Sequence, residues 1–301
     1  MSAEPAKHEA RFPAFLALWG SQTLSLFGTM ISQFAVNVWL VRDLYPDPAQ
    51  KPALALALTA TGIVAGALRF PAVTLHASEH GNNLLDDVRA GFRWILSRRP
   101  FLALTAIGGV TNFTFAPLLL SLPLLARDRV HADAAARHLS FEAVLALVNT
   151  AGGLGGVLGG VAISIVGLRT KRRIPMVVAC IAVLGLGQVI AGLATTVGGL
   201  ALGMFVGELL IAPLNTGIYT LWQSLTPPHM LARALATRRF ISQSAFPVGT
   251  AVAGWIAVAV EPWLVVTLSG AVLALSMGAL LLQPGFRTLE GRMREAAARP
   301  G

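Results

Sequence analysis

Eight separate stretches of this chain are long and apolar enough to cross a bilayer, and mostly short basic connectors join them. A helical crossing of ~30 Å of hydrocarbon takes about 20 largely uncharged residues. The stretches fall at 14–41, 53–70, 101–126, 140–167, 174–194, 199–222, 240–260 and 263–284. Lipid offers the peptide backbone no hydrogen-bond partner, so spans of this kind must be helices. The chain therefore reads as an all-α polytopic membrane protein with eight transmembrane helices. Composition agrees, since 55% of the 301 residues are hydrophobic and only 12% charged, too few for the surface of a soluble domain. The second stretch is the shortest and ends at Arg69, whose guanidinium can snorkel from a helix end. No cleavable signal peptide is read ahead of the first stretch, which runs through Trp19 to Val41 without a small-residue cleavage site.

Charge sets the orientation. With a cytoplasmic N-terminus, only Arg42, Lys51, Arg127, Arg129 and Arg137 of the 23 Lys and Arg residues fall outside. The positive-inside rule then places both termini in the cytoplasm of a multi-pass protein. The net charge of +9 follows these loops and forms no basic stripe interleaved with aromatics, which argues against a nucleic-acid partner and for the lipid bilayer as the partner of the basic residues. The single cysteine, Cys180, lies inside a span, and all six histidines lie outside the spans. Neither a disulfide framework nor a thiolate or histidine metal site in the membrane is available, and no cofactor is expected. There is no phosphate-binding loop, no H-E-x-x-H and no G-x-S-x-G, so an enzyme is not expected.

Between the second and third spans, Leu84, Leu85, Val88, Phe92, Ile95 and Leu96 recur at helical spacing, with Asp86, Asp87, Arg89 and Arg93 opposite. This predicts an amphipathic helix capped by Asn82 or Asn83, its aspartates and arginines matched to the helix dipole. Trp94 and the Arg98-Arg99 pair suit a headgroup layer, so the helix is expected to lie along the inner membrane face. It reads either as a coupling element between helix groups or as a passive connector.

Polar residues inside spans carry the functional signal. Gln22, Ser25, Thr29, Gln33 and Asn37 stack along one face of the first span and must turn toward other helices or a wet cavity. They either bond neighbouring helices or line a path. In the fourth span, Gly152, Gly156 and Gly160 form one small-residue seam and Gly155 with Gly159 an adjacent one, which predicts close approach of another helix rather than ligand contact. Asn149 lies one turn earlier. Glu208 is the one acidic residue placed near the middle of a span. A carboxylate there costs at least a few kcal/mol unless paired, wetted or protonated. It reads either as a proton- or cation-binding group or as a structural, mostly protonated acid. Ala212, Asn215 and Tyr219 follow it on the same expected face, with Pro213 able to bend the helix. Pro117 and Pro123 interrupt the third span and Pro247 the seventh, near the cavity candidates Asn112 and Gln243.

Several segments together resemble a known family. They are Leu18-Trp19-Gly20-Ser21-Gln22-Thr23-Leu24-Ser25-Leu26-Phe27-Gly28 with Phe34-Ala35-Val36-Asn37-Val38-Trp39, then Gly91-Phe92-Arg93-Trp94-Ile95, Pro213-Leu214-Asn215-Thr216, and Trp222-Gln223-Ser224-Leu225-Thr226-Pro227-Pro228. The chain resembles a major facilitator superfamily transporter, of the bacterial drug-efflux branch that includes macrolide and siderophore exporters. That family has twelve helices in two halves. Matching along the chain assigns the first span to helix 1 and the last six to helices 7 through 12, so about four helices of the N-terminal half are missing and 53–70 is a join. The resemblance divides the chain into an N-terminal remnant at 1–70, a connector with its amphipathic helix at 71–100, an intact six-helix bundle at 101–284 and a cytoplasmic tail at 285–301. The family's gating loop between helices 2 and 3 falls in the absent region. Its counterpart is reduced to Arg169-Thr170-Lys171-Arg172-Arg173 without an acid, and Ala232-Arg233-Ala234 stands where the family shows Gly-Arg-Val.

The resemblance implies proton-coupled efflux of a small hydrophobic compound or drug across a bacterial inner membrane. Glu208 would carry the proton, and Gln22, Gln33, Asn37, Asn112, Asn149, Asn215, Tyr219 and Gln243 would line the path. The alternative is a non-transporting relic or interaction partner that pairs with another copy or with a full-length transporter.

Overall fold

The structure, a computed structural model, describes residues 84–166, 173–257 and 259–282 together with Ala35, Trp39 and Gly291. Two compact units divide the chain, Met1–Gln50 and Lys51–Gly301, and almost all described residues belong to the second. Apart from Ala35 and Trp39, the first two expected spans lie outside the described residues, and so do Gln22, Ser25, Thr29, Gln33 and Asn37.

Every regular element among the described residues is helical. In chain order they are α1 (Leu84–Leu96), α2 (Arg99–Leu124), α3 (His131–Ala136), α4 (Phe141–Val166), α5 (Arg173–Leu193), α6 (Val197–Leu209), α7 (Ile211–Leu225), α8 (Pro228–Ala257) and α9 (Pro262–Leu282). Five segments are long and apolar enough to cross a membrane: Phe101–Arg129, Phe141–Ile165, Arg173–Leu193, Val197–Leu225 and Pro262–Ala279. These match five of the expected spans and have the composition of a multi-pass membrane protein. The stretch at 240–260 is instead the second half of α8, which begins at Pro228 and is diluted by Ser242, Gln243, Ser244 and Thr250. Proline at the first turn suits a helix start, where its missing N–H would have no partner anyway.

The packing is a chain of neighbours. α5 lies against α9, α6 and α7; α6 lies against α4; α2 lies against α8 and α9; and α1 lies against α8. Small residues permit most of these approaches. A Cβ on Gly155 or Gly159 of α4 would collide with the carbonyls of Phe205 and Leu209 on α6, and one on Gly187 of α5 would meet the Gly207 backbone. The contact seam on α4 is therefore Gly152, Gly155 and Gly159. Gly156 and Gly160, expected on the seam with Gly152, meet nothing within 4 Å. The sequence pattern holds two overlapping small-residue rows, and only the position of α6 selects between them.

The prolines do not interrupt the third span as expected. α2 continues through Pro117 and Pro123, and only after Pro123 does the chain widen into one π-helical turn at Leu125–Arg129. Pro117 leaves the Phe113 carbonyl without its usual N–H donor. Gly249 of α8 packs its backbone onto that carbonyl. A proline and a glycine on different helices thus form one contact, in which a Cα–H can approach the freed oxygen.

α1 also departs from expectation. Trp94 is 7% exposed and Ile95 fully buried, while Val88 and Leu96 are exposed. The Trp94 ring lies 4.6 Å from Phe101, and Phe101 lies 5.2 Å from Trp222 of α7, both edge to face. Gly91 sits against Thr237 and the Arg233 carbonyl of α8, and Phe92 lies 6.0 Å from Phe240. Trp94 is thus a core residue and not a headgroup anchor. Burying such a ring stabilises by ~2–3 kcal/mol, with ~1 kcal/mol more from each well-oriented aromatic pair, which outweighs interfacial placement.

The two glycine rows predict opposite tolerances. Gly159→Ala should lower the unfolding free energy in detergent by about 1–3 kcal/mol through overpacking against Leu209, whereas Gly160→Ala should leave it within ~0.5 kcal/mol. Denaturant titrations of both variants read this directly, and equal effects would mean that the seam is misplaced.

Candidate functional site

Glu208 occupies the last turn of α6, immediately before a break at Leu210, where the backbone turns to φ −100° and ψ 2°. α7 then starts at Ile211, so the expected continuous span is two helices with a one-residue joint. Pro213 explains the position. Its ring crowds the carbonyl four residues back and supplies no N–H, so the helix resets on the N-terminal side of the proline. That carbonyl belongs to Leu209, the group on which Gly159 packs. The site is therefore built from a break on one helix and a close backbone contact from another.

The Glu208 side chain is half-buried and turned toward α4, where its Cγ lies 3.3 Å from the position a Cβ on Gly152 would take. Among the described residues its carboxylate makes no ion pair or hydrogen bond. An acid so placed can carry a proton or meet a cationic group, and it sits where the backbone has a joint.

The other expected site residues are less gathered. Asn149, one turn before Gly152, is exposed and donates its amide N–H to the Leu145 carbonyl at 2.7 Å. Asn112 is half-buried and donates likewise to the Gly108 carbonyl at 2.9 Å. Each keeps its amide oxygen free of that bond. The joint at Leu210 interrupts the register that was to align Glu208 with Ala212, Asn215 and Tyr219. Asn215 is exposed, Tyr219 is 38% exposed and Gln243 on α8 is exposed. Tyr219 instead faces Arg238 of α8, whose guanidinium carbon lies 5.3 Å from its ring centre. Of the described candidates, Glu208 is the one that packs on another helix, at Gly152 of α4, and Asn149 lies one turn before that glycine. Gln22, Gln33 and Asn37 fall outside the described residues.

Gln188 was missed. It is fully buried in α5, and among the described residues neither its amide nitrogen nor its oxygen has a partner. The signal was present in the sequence, since after Arg173 at its start Gln188 is the only amide or charged side chain of α5, the rest being apolar or small. Among the described residues no three His, Cys, Asp or Glu side chains assemble into a metal site.

The start of α6, which carries Glu208, is secured twice. Thr196 is extended and accepts from the Gly199 N–H at 3.1 Å, and Asp133 of α3 accepts from the Val197 N–H at 2.8 Å. Arg137, one turn after Asp133, donates to the same carboxylate at 3.0 Å. α3 can supply this group because the chain reverses right after it. His138 adopts a left-handed φ of 53°, and the His138 and Leu139 N–H groups return to the carbonyls of Ala135 and Ala134.

No protein-family description, curated protein or solved structure matches the chain.

The Val197 N–H and then Arg137 hold the Asp133 carboxyl below its ordinary value of 3.8. A depressed folded-state value contributes stability above the unfolded value, lost as pH falls through the folded one. Unfolding midpoints should therefore drop below pH ~4. Asp133→Asn should be destabilised at neutral pH and lose part of that acid dependence, as thermal melts across pH 3–7 would reveal.

Proposed function

We propose that this chain is a shortened transporter of the major facilitator type, with eight transmembrane helices and an intact C-terminal six-helix bundle. Its activity is proton-coupled efflux of a small hydrophobic compound or drug, from a bacterial inner membrane with both termini on the cytoplasmic side. The observation that supports this best is the half-buried, unpaired carboxylate of Glu208 beside the joint at Leu210. A group that exchanges a proton at a break in a span is what coupling to helix movement requires. Asn149, one turn before Gly152 on α4, is a further path candidate. Gln22, Gln33, Asn37, Asn112, Asn215, Tyr219 and Gln243 are the remaining path candidates. The distribution of basic residues supports the orientation.

A second reading is a non-transporting protein that pairs with another copy or with a full-length transporter. It draws support from the outer face of α4, where Leu154, Val157, Leu158, Val161 and Ile165 are all exposed and Gly156 and Gly160 meet nothing. Such a surface suits lipid, and it also suits a second helix.

Expression in cells lacking their own pumps separates the two. On the transport reading, accumulation of a hydrophobic dye falls, and Glu208→Gln restores it to the level of cells without the protein while membrane abundance stays unchanged. Unaltered accumulation on expressing the intact chain removes that reading. Crosslinking of cysteines placed at Val157 and Val161 then tests self-association.

A further inference from the structure

Although α1 buries Gly91, Trp94 and Ile95, a second apolar row on the same helix stays open. Val88, Phe92 and Leu96 stand four residues apart, so they stack along one side of the helix. Val88 is 43% exposed, Leu96 is 56% exposed and Phe92 is half-buried. The row does not end on α1. Phe92 meets Phe240 of α8 edge to face at 6.0 Å, and Phe240 is itself 53% exposed. Four apolar side chains from two helices thus form one open ridge.

Positive charge borders this ridge. Arg89 and Arg93 each follow a ridge residue by one position and are exposed, so they run as a parallel row on the side away from the buried face. Arg239 precedes Phe240 and Arg99 opens α2, and both are exposed. The two aspartates of α1, Asp86 and Asp87, both fall in its first turn, which leaves the rest of the helix basic. Depth is set by the neighbouring helices. Phe240 is the first residue of the apolar stretch 240–260, and Arg99 stands just ahead of the apolar segment Phe101–Arg129. The ridge therefore lies at the boundary of hydrocarbon and headgroups, where apolar side chains enter the acyl region and arginines meet phosphates.

We infer that the ridge of Val88, Phe92, Leu96 and Phe240, bordered by Arg89, Arg93 and Arg239, is a docking surface for anionic phospholipid. An uncharged bilayer would accept the apolar row equally well, and the arginine row is what selects anionic headgroups. A second copy docked through the same surface would bring two arginine rows together, and like charges facing each other disfavour that contact. Trp94, expected as the headgroup anchor, belongs to the core, and the row beside it takes that part. The docking surface stands independently of any transport activity.

Fluorescence quenching in nanodiscs that each hold a single copy of the full chain tests this. A fluorophore is attached through Leu96→Cys on the ridge or, as the control, through Ser97→Cys on the far side of the helix, each in a Cys180→Ala background. The nanodiscs contain equal parts of phosphatidylcholine and phosphatidylglycerol, with brominated chains on one lipid or the other. Brominated phosphatidylglycerol should quench the label at Leu96 about twofold more than the label at Ser97, and more than brominated phosphatidylcholine does. Arg93→Gln changes an exposed side chain and leaves the core intact, and it should weaken the preference for phosphatidylglycerol about fivefold. Quenching at Leu96 by neither lipid, as when protein covers the ridge, or by both lipids equally, overturns the assignment. An unchanged preference in Arg93→Gln overturns it as well.

Discussion

Inside a bilayer a backbone carbonyl that loses its helical N–H has no water to turn to, and the described bundle is organised around that constraint. Pro117 deprives Phe113 of its donor, and Pro213 deprives Leu209. In both places a glycine from another helix, Gly249 or Gly159, brings its own backbone onto the freed oxygen. The same freedom from a Cβ lets α5 touch α6 at Gly187 and Gly207 and touch α9 at Gly185 and Gly270. Packing without side chains between backbones draws on dispersion and weak Cα–H contacts, the forces that remain when neighbouring lipid is as apolar as leucine.

The joint at Leu210 follows from this arrangement. A proline three residues into α7 breaks the span, and the close contact of Gly159 on Leu209 holds the broken end in place. Glu208 is carried by the last intact turn before the break and meets α4 at Gly152, where a larger residue would press on its side chain. The start of the same helix is tied by Asp133 and Thr196. α6 is thus fixed at its beginning, locked along its length by glycines on two sides, and jointed at its end beside the carboxylate.

The aromatic cluster plays the corresponding part elsewhere. Trp94, Phe101 and Trp222 come from α1, α2 and α7 and share one buried knot, with Ile95, Ile174 and Leu221 packed around it. This converts an amphipathic connector into part of the core. Its exposed residues, Val88 and Leu96, are ones that periodicity placed on the apolar face, while Trp94 was placed at the interface for its amphipathic ring. Helical spacing finds a stripe, but its edges depend on what packs there. Trp94 packs on Phe101, seven residues on, and on Trp222, more than a hundred residues away, and local pattern does not reveal the second.

Much of the architecture was legible because it rests on local or cumulative properties. Helical content, the bounds of α4, α5 and α9, and the small-residue character of α4 follow from runs of apolar residues and from what lipid permits. Glu208 was legible because a lone acid in a span stands out, and Gln188 carried the same signal in its own span. What the tertiary structure decided were the choices among equals: which of two glycine rows on α4 meets α6, and whether Trp94 faces headgroups or core. These depend on contacts between residues distant in the chain, and side-chain periodicity describes one helix at a time, so the amino-acid order alone leaves them open.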